Sequence, residues 1–564
     1  CETSCFSVWN TLFLGEKLWG DENFPTLMSV LRFFFVILRG NFIGMTITEL
    51  QQQYAAHPNM AVMKRLLKDT SVQTVFCGGL CASAASLFSS VLVQEGGCPF
   101  VFILGDLEEA GYFYHDLTQI LGTEKVLFFP SSFRRSIKYG QKDAANEILR
   151  TEVLSRLQKG EEGLCIVTYP DALAEKVVSR KELSDKTLKL NVGEKVDTTF
   201  ITDVLHSYGF EYVDYVYEPG QYAVRGSIID VFSFASEYPY RIDFFGDEVE
   251  SIRTFEVESQ LSREKKSGVS IVPDLAVTGD VTTSFLDFIP KDTTLAMRDF
   301  LWLRERIQVV HDEALTPQAI AVQEAAENGG ITLEGKLIDG SEFTVRALDF
   351  RRLEFGNKPT GTPNASVTFN TSAQPIFHKN FDLVASSFKD YLEKGYSLYI
   401  CSDSMKQTDR IKAIFEDRGD QINFTPIERT IHEGFVDNTL RLCIFTDHQL
   451  FDRFHKYNLK RDKARSGKVA LSLKELNQFT PGDYVVHTDH GIGRFSGLVR
   501  IPNGDTTQEV LKLVFQNEDV VFVSIHSLHK VSKYKGKEGE APRLNKLGTG
   551  AWEKLKERTK SKIK

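Results

Sequence analysis

With 564 residues the chain is too long for one hydrophobic core, and at about 150 residues per domain it should divide into three or four. Its 42% hydrophobic and 25% charged content is ordinary for folded domains, each able to bury a proper core. The net charge of −9 argues against a general nucleic-acid coat, because phosphate contacts need a clustered basic surface. One local bias stands out: residues 526–564 carry twelve Lys/Arg against four Asp/Glu.

In chain order, residues 1–44 come first. Leu27–Ile43 is apolar, but it is short for a membrane span, carries Arg32 and Arg39, and precedes no small-residue cleavage site. Met45 opens a stretch, MTITELQQQY, that reads like an ordinary cytosolic start, so 1–44 is set apart from the fold as an upstream or non-native extension. Over 45–186, buried strand-like runs (Val75–Phe76, Phe100–Leu104, Val126–Phe129, Leu164–Thr168) alternate with helical stretches at Asp106–Leu121 and Ala144–Leu157. That alternation predicts a parallel, doubly wound α/β sheet.

From 187 to 260 the texture changes. Short strands Tyr222–Val224, Ser227–Phe232, Tyr240–Phe245 and Ser251–Phe255 are separated by Pro-Gly, Arg-Gly and Gly-Asp turns, with one helix near Thr199–Tyr208. This predicts a small, mostly antiparallel α+β insertion. Residues 261–372 mix helices at Phe285–Phe288 and Asp299–His311 with a strand-rich end, and the Gly/Pro-rich stretch Gly356–Asn364 reads as a linker.

A second small α/β domain is expected over 376–463, with helices Leu383–Leu392 and Met405–Phe415 and strands Ser397–Cys401 and Leu440–Thr446. After the charged connector Lys460–Lys468, the strands Tyr484–His487, Gly493–Ile501, Val510–Phe515 and Val520–Ile525 predict a small β-barrel over 475–545. A lysine-rich helix, 551–564, follows and is still running where the chain stops, as if cut.

Motifs with chemistry are few. A phosphate-binding loop needs G-x-x-x-x-G-K-[ST], in which backbone amides cradle the phosphates and the lysine reaches the β/γ oxygens. Gly79–Ser86 follows a strand and precedes a helix, but Ala84 replaces the second glycine and Ala85 the lysine. The loop is therefore read as degenerate and non-functional, and no catalytic residue is assigned. Gly467-Lys468 and Gly536-Lys537 lack the following hydroxyl, and His311-Asp312-Glu313 lies in a helix without the terminal acid of a helicase box. His487 and His490 flank a turn and suggest support for it more than a metal site. None of the eight cysteines forms a CxxC pair, so buried free thiols are expected, with neither disulfides nor zinc.

Two segments carry a resemblance. Phe210–Gln260, with RGSIIDVF followed by YRIDFFGDEVESI, resembles the second domain of the excision-repair protein UvrB and the matching module of bacterial transcription-repair coupling factors. Phe479–Trp552, with PGDYVVHTDHGIGRFSGL, VVFVSIHSLHKVSKY and LNKLGTGAW, resembles the CarD-type RNA-polymerase-interacting domain of the same family. Only the coupling factors are expected to carry both, in this order, behind a degenerate phosphate loop.

The resemblance implies a degenerate P-loop-type parallel sheet with the inserted α+β domain, a second α/β domain and an SH3/Tudor-like barrel followed by a relay helix. It implies UvrA binding through Arg225, Arg241 and Phe245, and binding of the RNA polymerase β subunit by strand addition at Leu498, Val499, Arg500 and Ile501. It also implies a cytoplasmic, monomeric, membrane-free adaptor in transcription-coupled repair, with no cofactor in this chain. ATP, Mg²⁺ and most contact with double-stranded DNA would belong to motor domains lying beyond it. On the residues alone other readings stand beside these: Arg225 neutralising a neighbouring carboxylate, Phe245 as core, and 498–501 filling the barrel. The competing functions are a UvrB-like DNA-dependent ATPase, against which Ala85 argues, and duplex binding through the basic tail.

Overall fold

The computed structural model describes residues 45–552 apart from 134–143, 258–259, 274, 276–281, 325–332, 334, 456, 458–479, 504–505, 525–530, 535–541 and 549–551. The expectations for residues 1–44, for the connector Lys460–Lys468 and for the helix beyond Trp552 lie outside the described residues, as do Cys1 and Cys5. Among the described residues no helix is long and apolar enough to cross a membrane. The six described cysteines are free: Cys77, Cys165, Cys401 and Cys443 are buried, while Cys81 and Cys98 are half-buried.

Seven parallel strands form the first sheet, in the order Ala365–Thr368, Thr74–Gly78, Arg351–Gly356, Thr294–Met297, Phe100–Ile103, Cys165–Thr168 and Val126–Phe128. Every residue of Phe100–Ile103, Val126–Phe128, Cys165–Thr168 and Thr294–Met297 is buried. Continuous apolar runs of this kind suit strands covered on both faces. The cover includes Ala84–Glu95 and Leu107–Leu121, the latter capped by Asp106, whose carboxylate accepts from the amides of Glu108 and Glu109.

Three features differ from the sequence reading. Thr294–Met297 takes a central place in this sheet, although nothing but four small or apolar residues marks it. The stretch Gly356–Asn364 is no linker between domains. It connects two strands that both flank Thr74–Gly78, and Asn364 Oδ1 accepts from the amides of Gln73 and Thr74. The inserted domain does not end at residue 260: Ser262–Lys266 is the edge strand of its sheet and Gly268–Ile271 pairs with Leu188–Asn191, because a charged edge strand carries no apolar pattern to mark it.

The insertion between Cys165–Thr168 and Thr294–Met297 forms a six-stranded sheet, in the order Ser262–Lys266, Glu248–Phe255, Tyr240–Phe245, Ile228–Val231, Gln221–Arg225 and Glu211–Tyr212. Helix Thr198–Ser207 packs on one face over Ile229, Ile242, Phe244, Val249 and Ile252. Where the chain enters and leaves, Leu188–Asn191 pairs with Gly268–Ile271.

The second α/β unit has the strand order Thr371–Ala373, Phe435–Asp437, Leu442–Thr446, Ser397–Ser402 and Thr425–Glu428. Because side chains alternate across a strand, its two faces serve different cores. Leu398, Ile400, Val436, Cys443 and Phe445 pack under the unit's helices Phe381–Glu393 and Met405–Asp417. Tyr399, Cys401, Ile427, Phe435 and Ile444 belong to the core of the first sheet and helix Ile47–Ala55, with Phe435 edge-on to Tyr54 at 6.3 Å. The unit is fused to its neighbour through this shared core.

The last unit is a five-stranded antiparallel sheet, in the order Val520–Ser524, Thr506–Val514, Gly491–Asn503, Tyr484–His487 and Val531–Lys533, around Val485, Phe495, Leu511, Leu513, Phe515, Val523 and Val531.

The shared core predicts a measurable coupling. Phe435 is fully buried between two units, so Phe435→Ala should cost about 3–5 kcal/mol. Urea unfolding should register the loss in the first sheet and the second α/β unit together. Loss confined to residues 371–455 would contradict the shared core.

Candidate docking sites and the degenerate phosphate loop

The loop after strand Thr74–Gly78 leads into helix Ala84–Glu95, the place at which a phosphate-binding loop would hold its cradle. Gly79 sits at φ +78°, and a Cβ there would lie 2.0 Å from the Phe369 carbonyl oxygen. What fills the cradle is the chain itself. Phe369 N donates to Gly78 O at 2.8 Å and Thr371 N to Gly79 O at 3.3 Å; the Thr371 hydroxyl donates to Gly79 O at 2.7 Å and accepts from Cys81 N at 2.9 Å. Ser83 N donates to Glu433 O, and Glu433 N returns a bond to Ser83 Oγ at 2.9 Å. Ala84 N and Ala85 N are spent on Cys81 O and Ala82 O within the turn. The amides of Cys81, Ser83, Ala84 and Ala85 thus all have acceptors within the chain, and Ser86 is buried.

The space beside the loop, about 400 Å³, is lined by Asp106, Glu108, Glu109, Asp116 and Glu433. Its cation, Arg298, is paired with Glu109 at 2.5 Å. Fixed carboxylates in a partly enclosed space repel a polyphosphate. Asp116 is fully buried, accepts from His432 N at 2.7 Å, and is pushed up to about 7 by burial. His432 stacks on Tyr112 at 3.5 Å, and His115, His448 and His455 lie close by in the same joint. Burial lowers His115, His432 and His448 to about 4, because a charged imidazole loses hydration there. Among the described residues no group of side chains could hold a metal ion.

This joint gives stability a definite pH dependence. A histidine with a depressed folded pKa is neutral in the fold but protonated in the unfolded chain below about 6.5. Between about pH 4 and 6.5, unfolding therefore takes up three protons at the histidines and releases one from Asp116, whose folded pKa is raised. The net of these four groups is two protons bound on unfolding (three minus one), so stability should rise with pH across this window. Chemical denaturation at stepped pH should show the slope, and its removal in a His115→Phe/His448→Phe double variant would assign it.

In the inserted module, the three residues carried over from the family resemblance occupy one sheet face but do different work. Asp230 is fully buried, and Arg241 grips it with both Nε (2.8 Å) and an Nη (2.9 Å) while stacking over Phe255 at 4.5 Å. Arg225 pairs with the same carboxylate and lies over Tyr215 at 5.0 Å. Only 16% of the Arg241 side chain is exposed, against 34% for Arg225. Ile242 and Phe244 point into the core, so Arg241, Asp243 and Phe245 share the other face. There Phe245 is 80% exposed, at the tip of the hairpin turned by Gly246. Phe245 is exposed rather than core, and Arg225 does neutralise a carboxylate. Sequence reasoning missed Asp230; a lone aspartate inside an apolar strand, opposite an arginine, was the available signal.

In the last unit, Leu498, Val499, Arg500 and Ile501 lie on strand Gly491–Asn503, in register with Leu511, Val510, Glu509 and Gln508. Leu498 is exposed and Val499 half-buried; the side chains of Arg500 and Ile501 lie outside the described residues. The neighbouring strand Tyr484–His487 pairs only with residues 491–494. Beyond a register shift at Phe495–Leu498, the second edge of 498–503 carries no ladder partner among the described residues. His487 Nδ1 accepts from Asp489 N and so shapes the turn, and its ring stacks on His490 at 4.5 Å.

Among the described residues, then, a parallel α/β core carries a loop whose amides are bonded within the chain, one module exposes Phe245, and another holds a strand, 498–503, with one edge lacking a ladder partner. Residues 188–276 match the UvrB interaction domain, and residues 479–535 match the CarD-like/TRCF RID domain. Transcription-repair-coupling factors of Bacillus subtilis (strain 168) and of Staphylococcus aureus strains RF122 and USA300 are each 23% identical to the chain over 86% of its length. The match spans 47% of each relative, so the chain covers about half the length of the curated proteins it resembles.

Breaking the buried network should be costly. Asp230→Ala leaves the largely buried Arg241 guanidinium without its carboxylate and unpairs the half-exposed Arg225, and we expect destabilisation of the inserted module by about 3 kcal/mol. Circular dichroism melts of Asp230→Ala beside an exposed control, Glu248→Ala, would check it.

Proposed function

We propose that the chain is the adaptor portion of a transcription-repair coupling factor, joining stalled RNA polymerase to UvrA in transcription-coupled nucleotide-excision repair. The observation that carries the reading is the pairing of two docking surfaces, exposed Phe245 on the module matching the UvrB interaction domain and the open edge of 498–503 on the module matching the RID domain. Phe245 inserts into UvrA, while Arg241 and Arg225, held on Asp230, frame it with fixed positive charge. The polymerase β subunit adds a strand to the edge at Leu498–Ile501, where main-chain hydrogen bonds give affinity and alternate side chains give specificity. Its host is an SH3/Tudor-like barrel.

In this reading the chain is not an enzyme, uses no cofactor, and works as a cytoplasmic monomer. ATP-driven translocation on double-stranded DNA belongs to the remainder of a full-length coupling factor. Against the UvrB-like ATPase alternative stand Ala85 in place of the lysine, the spent loop amides and the carboxylates beside them. Millimolar ATP with Mg²⁺ should leave the melting temperature unchanged, and a rise would favour the ATPase.

The two surfaces should separate by mutation. Phe245→Ala should weaken UvrA binding by roughly 30-fold or more, the scale of a hot spot, and leave polymerase binding unchanged. Ile501→Glu should do the reverse. Phe245 is a cleaner probe than Arg241, because reversing Arg241 would set a carboxylate against buried Asp230. Surface plasmon resonance with both partners reads this directly, and equal losses for the two partners would count against separate sites.

A further inference from the structure

The inserted sheet carries a cross-strand row that continues past Arg241. Directly opposite Arg241 is Arg253, and directly opposite Arg253 is Lys265, on the edge strand Ser262–Lys266. Residues facing each other across antiparallel strands share a face, so this row lies on the Phe245 side. At about 4.8 Å per strand, Lys265 stands roughly 10 Å beyond Arg241.

The charges along the row are unequal. Asp230 serves both Arg225 and Arg241, and Arg253 pairs with Asp243. Lys265 is exposed and has no carboxylate partner among the described residues. The row is therefore net positive, and its cation free to act lies at the sheet edge. All five residues of the edge strand are exposed, and three of them are Arg263, Lys265 and Lys266. A strand so charged resists pairing with another strand, which leaves side-chain contact as its mode of recognition.

We propose that the docking surface of this module runs from Phe245 past Arg241 and Arg253 to Lys265, and fits a partner that sets an acidic rim beside an apolar pocket. This rests on the UvrA reading above and adds to it the edge strand and the sign of the partner's rim. An exposed charge at an interface rim acts mainly on the association rate and its salt dependence.

The test is association of the whole chain with purified UvrA, followed at low and at high salt. Lys265→Glu should associate roughly tenfold more slowly at low salt, with the difference fading at high salt. Lys266→Glu changes net charge equally but projects from the opposite face, in register with buried Ile252, and should associate at the wild-type rate. Phe245→Ala supplies the separate check on the underlying reading. Wild-type kinetics for Lys265→Glu, while Phe245→Ala loses binding, would overturn the extended surface and leave the UvrA reading standing. Equal slowing by Lys265→Glu and Lys266→Glu would also overturn it, as an effect of net charge alone. Undiminished binding by Phe245→Ala would sink the reading and the inference together.

Discussion

The organisation depends on a very short tether. Ala365–Thr368 is the last strand of the first sheet and Thr371–Ala373 is the first strand of the next, so only Phe369 and Asn370 separate them. Two residues cannot carry a domain away from its neighbour. Phe369, within this tether, and Thr371, just after it, bond the backbone of Gly78–Cys81, which holds the second α/β unit against the loop and the helix behind it. Three consequences share this cause. One face of the second sheet becomes part of the first core, His432 and Glu433 come to rest on Ser83 and Asp116, and the amides of a phosphate cradle are turned into a joint. The loop lacks the lysine of a phosphate-binding motif, and its backbone donors, Ser83 N to Glu433 O among them, are satisfied from within the chain.

The inserted module shows how a charged surface is held still. A carboxylate buried on its own would be expensive, but Asp230 meets two guanidinium groups, one bidentate. The arrangement spends most of the charge of Arg241 internally and fixes its position. On the proposed reading, contact with a partner would be divided among residues of different character: an aromatic side chain exposed at a hairpin tip, arginines that frame it, and a lysine on the edge strand. Arginines already fixed on Asp230 would lower the ordering entropy of such an encounter.

The last unit differs. Strand Gly491–Asn503 is long, and its partner Tyr484–His487 ends early, so among the described residues half of one edge has no ladder partner. Gly497, at φ +115°, sits inside the register shift that separates the paired half from the open half. On the far side of the unit, Asn545 accepts from Ile492 N and donates to Ile492 O, while Trp552 Nε1 donates to Thr488 O. Gly491 leaves room for both, since a Cβ there would meet Asn545 at 2.6 Å and Trp552 at 3.0 Å. The chain leaving this unit is thus bound to the end of the strand opposite the open edge.

Much of this was legible in the sequence, for reasons specific to each element. Phe100–Ile103, Val126–Phe128 and Cys165–Thr168 announce themselves because strands buried on both faces are uninterrupted apolar runs. Helix Leu107–Leu121 is readable from its Asp106 cap and its acidic first turn. Ser262–Lys266 escaped, because a charged edge strand has no apolar pattern to read, and Gly356–Asn364 passed for a linker, because a polar connection between parallel strands has the composition of one. Local patterns and short motifs thus determined the kinds of module, the loss of the phosphate-loop lysine and the residues worth examining. Which arginine is anchored and which side chain is free, where the strand edge stays open, and that Glu433 plugs the loop 350 residues before it in the chain were decided only by tertiary structure. Those properties depend on burial and on pairing between distant segments, and neither is a function of neighbours in sequence.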